Sequence, residues 1–150
     1  SAASEMKQVT ILVVEDDPGV RDIAVRYLEF VGYRTVQAGS VAQARYVLAE
    51  GHTIDLVLSD VVLPGESGIQ FRRALSTRRP GLPVVLMSGH GDPRGEREVP
   101  ADLDIFPKPF TRAELARRVA AELALSRDRR SRDSPSEVSP ARARDGSTSG

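Results

Sequence analysis

Apolar and polar positions along this chain follow two alternating rhythms. Apolar runs at residues 9–14, 56–59 and 84–87, with shorter strand-like stretches at 34–38 and 105–106, are separated by segments whose apolar residues recur three and four apart. The run Val9, Thr10, Ile11, Leu12, Val13, Val14 is the kind a strand buried on both faces requires. The intervening segments read as amphipathic helices. Asp17 and Pro18 open the first, as N-cap and first-turn residue. Val20, Ile23, Ala24, Tyr27, Leu28 and Val31 form its apolar stripe, and Gly32 stops it. Ser40 with Gln43, Ser67 with Gln70 and Thr111 with Glu114 have capping-box spacing ahead of three further helices. The strand–helix repetition predicts an α/β fold around a parallel sheet.

Two regions depart from this rhythm. Between Ser88 and Leu103 the chain carries Gly89, Gly91, Pro93, Gly95 and Pro100 and almost no apolar residues, so a helix there is expected to be short, mobile or missing. From 126 to 150 the composition shifts to seven serines, six arginines and four acids, with Val138 the only large apolar residue. Such a segment buries too little surface to offset the entropy of ordering, and it reads as a disordered tail. The expected organisation is an N-terminal extension at 1–8, one domain at 9–125 and the tail at 126–150.

Composition narrows the function classes. The chain has 150 residues, 40% of them hydrophobic, which is enough for one domain with a core. A formal net charge of zero gives no general case for binding nucleic acid or an anionic membrane. The absence of cysteine removes disulfides and thiolate metal sites and fits a cytoplasmic setting. No apolar stretch approaches the roughly 20 residues of a membrane span.

The candidate chemistry lies where the apolar runs end. Glu15 and Asp16 follow the first, Asp60 the third, Ser88 the fourth, and Lys108 stands just before Pro109. A parallel α/β sheet collects these positions at one edge, where such sheets bind ligands. Carboxylates gathered from different strands repel one another, and a hard divalent cation relieves the repulsion. Glu15, Asp16 and Asp60, with the main-chain carbonyl of Val62, are therefore candidate Mg2+ ligands. Asp60 is the candidate nucleophile, able to attack phosphorus and form an acyl phosphate. Lys108 and the cation would neutralise charge on the transferring group, and Ser88 would donate a hydrogen bond to it.

The segments Ile11-Leu12-Val13-Val14-Glu15-Asp16-Asp17-Pro18, Asp60-Val61-Val62-Leu63-Pro64-Gly65-Glu66-Ser67-Gly68, Leu86-Met87-Ser88-Gly89-His90-Gly91 and Pro107-Lys108-Pro109-Phe110 resemble, in order and spacing, those of response-regulator receiver domains of two-component signalling. The resemblance spans about residues 9–125. It implies a flavodoxin-like doubly wound sheet of five parallel strands in the order 2-1-3-4-5. It implies Mg2+-dependent phosphate transfer to Asp60 from a histidine kinase or histidine phosphotransfer protein, with a consequent switch in partner binding. It also implies that Asp16 ligates the metal directly, Glu15 through water, and that Asp17 serves as helix cap. The aromatic residue usual three positions before the lysine is replaced by Ile105, with Phe106 beside it. Strand alternation sends Phe106 to the opposite face. Val62 and His90 are expected to flank the phosphoryl group on the solvent side.

Several wordings, among them Arg79-Pro80-Gly81-Leu82-Pro83, resemble receivers at the C-terminal end of hybrid sensor kinases, and a free-standing relay receiver fits nearly as well. An aspartate-nucleophile phosphatase is the competing enzyme class. Those enzymes resemble D-x-D-x-T after the first strand, where this chain has Glu15, Asp16 and Asp17.

Overall fold

A computed structural model describes residues 8–89 and 104–132 of the protein. The predicted helix within 88–103, His90, and the greater part of the tail lie outside the described residues. The described elements are β1 (Thr10–Val14), α1 (Pro18–Phe30), β2 (Arg34–Ala38), α2 (Val41–Ala49), β3 (Leu56–Asp60), α3 (Gly68–Arg78), β4 (Val84–Gly89), β5 (Ile105–Lys108) and α4 (Arg112–Arg132). The five strands form one sheet in the order β2-β1-β3-β4-β5, every neighbour parallel. This is the expected doubly wound arrangement.

Side-chain alternation along the central strands builds two cores. Ile11, Val13, Leu56, Leu58, Val85, Met87 and Phe106 face α1 and α4, packing with Ala24, Val25, Leu28, Leu115 and Val119. Leu12, Val14 and Val57 point the other way, against Val41, Ala44 and Leu48 of α2 and Phe71 and Leu75 of α3. All five residues of β3 are buried, as a central parallel strand demands. The stripe expected on α1 is rotated by about one residue. Val25 is buried, while Ile23 and Val31 are exposed, because the arc covered by sheet and α4 centres on Ala24, Val25 and Leu28.

The helix starts follow the polar signals with one exception. Asp17 Oδ1 accepts from the amides of Gly19 and Val20 at 2.8 and 3.2 Å. The box at α3 closes fully, with Ser67 N donating to Gln70 Oε1 at 2.9 Å and Gln70 N to Ser67 Oγ at 3.1 Å. Thr111 and Glu114 exchange the same pair of bonds at 2.8 and 3.1 Å. At α2 the box is left half made. Ser40 Oγ accepts from Gln43 N at 3.1 Å, but Gln43 Oε1 takes the Gly39 amide at 2.6 Å instead of that of Ser40.

The boundary expected at 125 is corrected by α4, which continues to Arg132. Ser126, placed in the tail by its composition, is buried, and its Oγ donates to the Gly81 carbonyl at 3.1 Å. A helix already nucleated and packed over its first turns extends at little cost through good helix formers. The turn between α3 and β4 supplies an acceptor that local composition does not reveal. Among the described residues, no helix is long and apolar enough to cross a membrane.

Replacing Ser126 with alanine is expected to lower stability by about 1 kcal/mol, because the Gly81 carbonyl loses its donor. Urea unfolding checks this. An unshifted midpoint means the end of α4 is held by other contacts.

Candidate functional site

The candidate residues reach the same edge of the sheet from four strands, β1, β3, β4 and β5. Glu15 and Asp16 continue β1, and Asp60 is the last residue of β3. In register, Val14 stands beside Ser59, Asp60 beside Met87, and Gly89 beside Lys108. One ligand oxygen from each of Glu15, Asp16 and Asp60 can be chosen so that all lie within 4.8 Å of one another. Lys108 Nζ donates to Asp60 Oδ2 at 2.9 Å and to Glu15 Oε1 at 3.1 Å. The Lys108–Pro109 peptide is cis.

Burial differs sharply within the cluster. Glu15 is 1% and Asp60 6% exposed, whereas Asp16 opens to solvent. The Glu15 carboxyl is raised from 4.5 to about 7, first by burial and then by the adjoining Asp60 carboxylate; the Asp17 amide and Lys108 pull the other way. Burial opposes the charge on Lys108, yet the hydrogen bonds and charges of Asp60 and Glu15 more than compensate and hold its pKa above the ordinary value. The donor set is all oxygen, clustered and short of positive charge, which suits a hard divalent cation. The Val62 amide donates to Asp60 Oδ1 at 3.2 Å, so the residue whose carbonyl is a candidate ligand is tied to the carboxylate. Ser88 ends up half-buried beside this group, its hydroxyl approaching the Gly89 carbonyl at 3.5 Å, near the outer limit of a hydrogen bond.

Three further contacts hold these side chains in place. Gly68 begins α3 directly under β3, and its amide donates to the Val61 carbonyl at 2.9 Å. A Cβ there would overlap the Asp60 carbonyl oxygen, so glycine is needed for close approach. Arg45 of α2 pairs with Glu66 at 2.6 Å and tethers the β3–α3 turn. Phe106 stacks on Phe110 at 5.1 Å, and Phe110 meets Tyr27 edge-on at 6.3 Å, anchoring the segment around Lys108 to α1. The glycine, as part of a motif, was visible in the sequence without its reason. The Arg45–Glu66 tether has no local signature, since its partners belong to separate elements. Phe106 lies in the core and Ile105 on the other face with Leu86 and Val61, as alternation predicts.

A sequence model described as the response regulator receiver domain matches residues 11–120. The chain belongs to the response regulator receiver domain family. It is 36% identical over 110 residues to the sensor kinase CckA of Brucella abortus, covering 71% of this chain and 12% of that protein. It is 34% identical over 119 residues to the phosphate regulon transcriptional regulatory protein PhoB of Pseudomonas aeruginosa, covering 76% of this chain and 51% of that protein. The chain thus spans about half the length, or much less, of these curated relatives. A response regulator receiver protein from Sinorhizobium medicae superposes with a TM-score of 0.69 at 29% identity, over 80% of this chain and 98% of that one. The receiver reading taken from the sequence is therefore established, and the sheet order agrees with it.

The raised Glu15 carboxyl sets a pH dependence for the metal-free receiver. A carboxyl with a raised folded-state pKa contributes stability that is fully present below 4.5 and lost as pH rises through about 7. Glu15→Gln is expected to remove that loss. Urea unfolding in chelator should show the variant roughly 1–3 kcal/mol more stable than the unmodified protein at pH 8, with little advantage near pH 4.5. An equal difference at both pH values rules out the carboxyl as the cause.

Proposed function

We propose that this receiver takes a phosphoryl group from a phosphohistidine onto Asp60 in a Mg2+-dependent reaction, and that the acyl phosphate switches its binding to partners. The observation that carries this reading is the convergence of Glu15, Asp16 and Asp60 oxygens within 4.8 Å, with Lys108 Nζ 2.9 Å from Asp60. Glu15, Asp16, Asp60 and the Val62 carbonyl would hold Mg2+, which when bound supplies positive charge to the transferring phosphoryl group. An Asp60 oxygen forms the bond to phosphorus, the phosphorus–nitrogen bond of the donor breaks, and the imidazole departs. Lys108 orients Asp60 and offsets charge on the phosphoryl oxygens. Ser88, at the end of β4, is the donor that turns toward a phosphoryl oxygen once one is present. With Ile105 in place of an aromatic residue, the response to that movement runs through the β4–β5 edge without an aromatic rotor.

The phosphate donor is a histidine kinase or histidine phosphotransfer protein, and the setting is cytoplasmic, where ATP charges such histidines. An apolar groove lined by Val20, Ile23, Tyr27, Pro109 and Phe110 borders Lys108 and gives a donor an apolar surface next to the nucleophile. No direct contact with nucleic acid or membrane is required. The similarity to a sensor kinase and to a transcriptional regulator accommodates a receiver within a hybrid kinase as well as one in a separate regulator.

Incubation with acetyl phosphate and Mg2+ is expected to give a single phosphoryl adduct by intact mass, mapped to Asp60 and absent from Asp60→Asn. An adduct that persists in that variant refutes the assignment. Rapid turnover of small phosphate esters would favour a phosphatase instead.

Val62 sets the adduct's lifetime. Its side chain has no group to hydrogen-bond an attacking water, so Val62→Asn is expected to shed phosphate several-fold faster. Equal decay of the two adducts, followed by mass after removal of the donor, would defeat this account.

A further inference from the structure

Glu15 is held through its amide, its carboxylate and its carbonyl, and the carbonyl belongs to the peptide that joins it to Asp16. The Glu15 amide donates to the Ala38 carbonyl at the end of β2, at 3.0 Å. The Glu15 carboxylate accepts from the Asp17 amide at 3.1 Å and from Lys108 at 3.1 Å. The Glu15 carbonyl accepts from Arg21 Nη1 at 2.7 Å. Arg21 lies on the first turns of α1, and its side chain runs back toward the helix start, as helical side chains do. Its Nε donates to Gln37 Oε1 of β2 at 3.2 Å. One guanidinium thus links three elements at the point where the acidic pair leaves the sheet.

We infer that Arg21 is a positioning residue for the acidic pair, fixing through the Glu15 carbonyl the peptide plane from which Asp16 departs, and so setting the affinity for the divalent cation. The inference rests on the phosphoacceptor reading above. Asp16 is exposed, so packing does little to aim its carboxylate. Its direction follows the peptide plane before it. Turning that plane would carry Asp16 away from Glu15 and Asp60 without disturbing the core, since α1 is anchored independently by Ala24, Val25 and Leu28. Arginine suits this place better than lysine, because its planar fork reaches two acceptors at fixed angles while an ammonium acts as a single point charge.

The test compares the unmodified chain with Arg21→Ala, Arg21→Met, which keeps the aliphatic packing, and Arg21→Lys. Mg2+ binding is measured by titration calorimetry, the Mg2+ dependence of phosphorylation by acetyl phosphate is followed by mass, and folding is checked by thermal unfolding. Both the Kd for Mg2+ and the half-saturating Mg2+ concentration are expected to rise about tenfold in Arg21→Ala and Arg21→Met. The rate at saturating Mg2+ should change by less than about threefold, and Arg21→Lys should recover part of the affinity. A folded Arg21→Met that binds Mg2+ as tightly as the unmodified chain overturns the inference and leaves the phosphoacceptor reading intact. A lower unfolding temperature with unchanged affinity assigns Arg21 a structural role only and overturns it equally. Failure of the unmodified chain to bind Mg2+ overturns both.

Discussion

Two almost fully buried carboxylates, Glu15 and Asp60, share one lysine at the edge of the sheet. Burying like charges together is costly unless opposite charge and hydrogen bonds attend them. Here a single ammonium serves both, and Asp16 adds a further negative group close by. The metal-free pocket therefore retains a charge imbalance, and burial first, then the adjoining Asp60 carboxylate, displaces the Glu15 carboxyl upward to about 7. A divalent cation and a phosphoryl group are complementary additions to such a pocket. In the proposed reaction a cation would balance the acids, and phosphoryl oxygens would give Lys108 a new partner. The same imbalance suits the pocket to a divalent cation.

That imbalance is sustainable only because the surrounding backbone leaves little room to relax. Gly68 presses the start of α3 against the Asp60 carbonyl. The Arg45–Glu66 pair holds the turn that follows Asp60. Phe106, Phe110 and Tyr27 fasten the chain on either side of Lys108 to α1. Arg118 lies over Phe106 and pairs with Asp104 and Glu122, joining the start of β5 to α4. Side chains drawn from four strand ends are thus held by contacts whose partners sit on the flanking helices. In the proposed reaction a change in charge at Asp60 would reach β4 and β5 first, the strands that carry Ser88 and Lys108.

The extension of α4 shows how tertiary context overrides composition. Its last turns are rich in arginine and serine, a composition typical of chain that stays unfolded. One buried hydroxyl, Ser126, meeting a carbonyl in the α3–β4 turn marks where the helix remains docked. The register of α1 was displaced for a related reason. Periodicity identifies a stripe, but the width and centre of the buried arc depend on what packs against it, and α4 lies more than eighty residues away in the chain.

Apolar runs determined β1, β3 and β4, because a strand covered on both faces admits little else. Asp17, Ser67 and Thr111 determined three helix starts, because an N-cap acts on amides two or three residues away. The order of the motifs around Glu15, Asp16, Asp60, Ser88 and Lys108 determined the family, since each marks a strand end and parallel topology brings strand ends together. Local pattern carries no record of partners distant in sequence. Only the folded chain decided that Gly68 touches Asp60, that Arg45 reaches Glu66, that Arg21 grips the Glu15 carbonyl and that Ser126 is interior. Those contacts form between elements whose mutual distance is set by packing, and packing is a property of the whole fold.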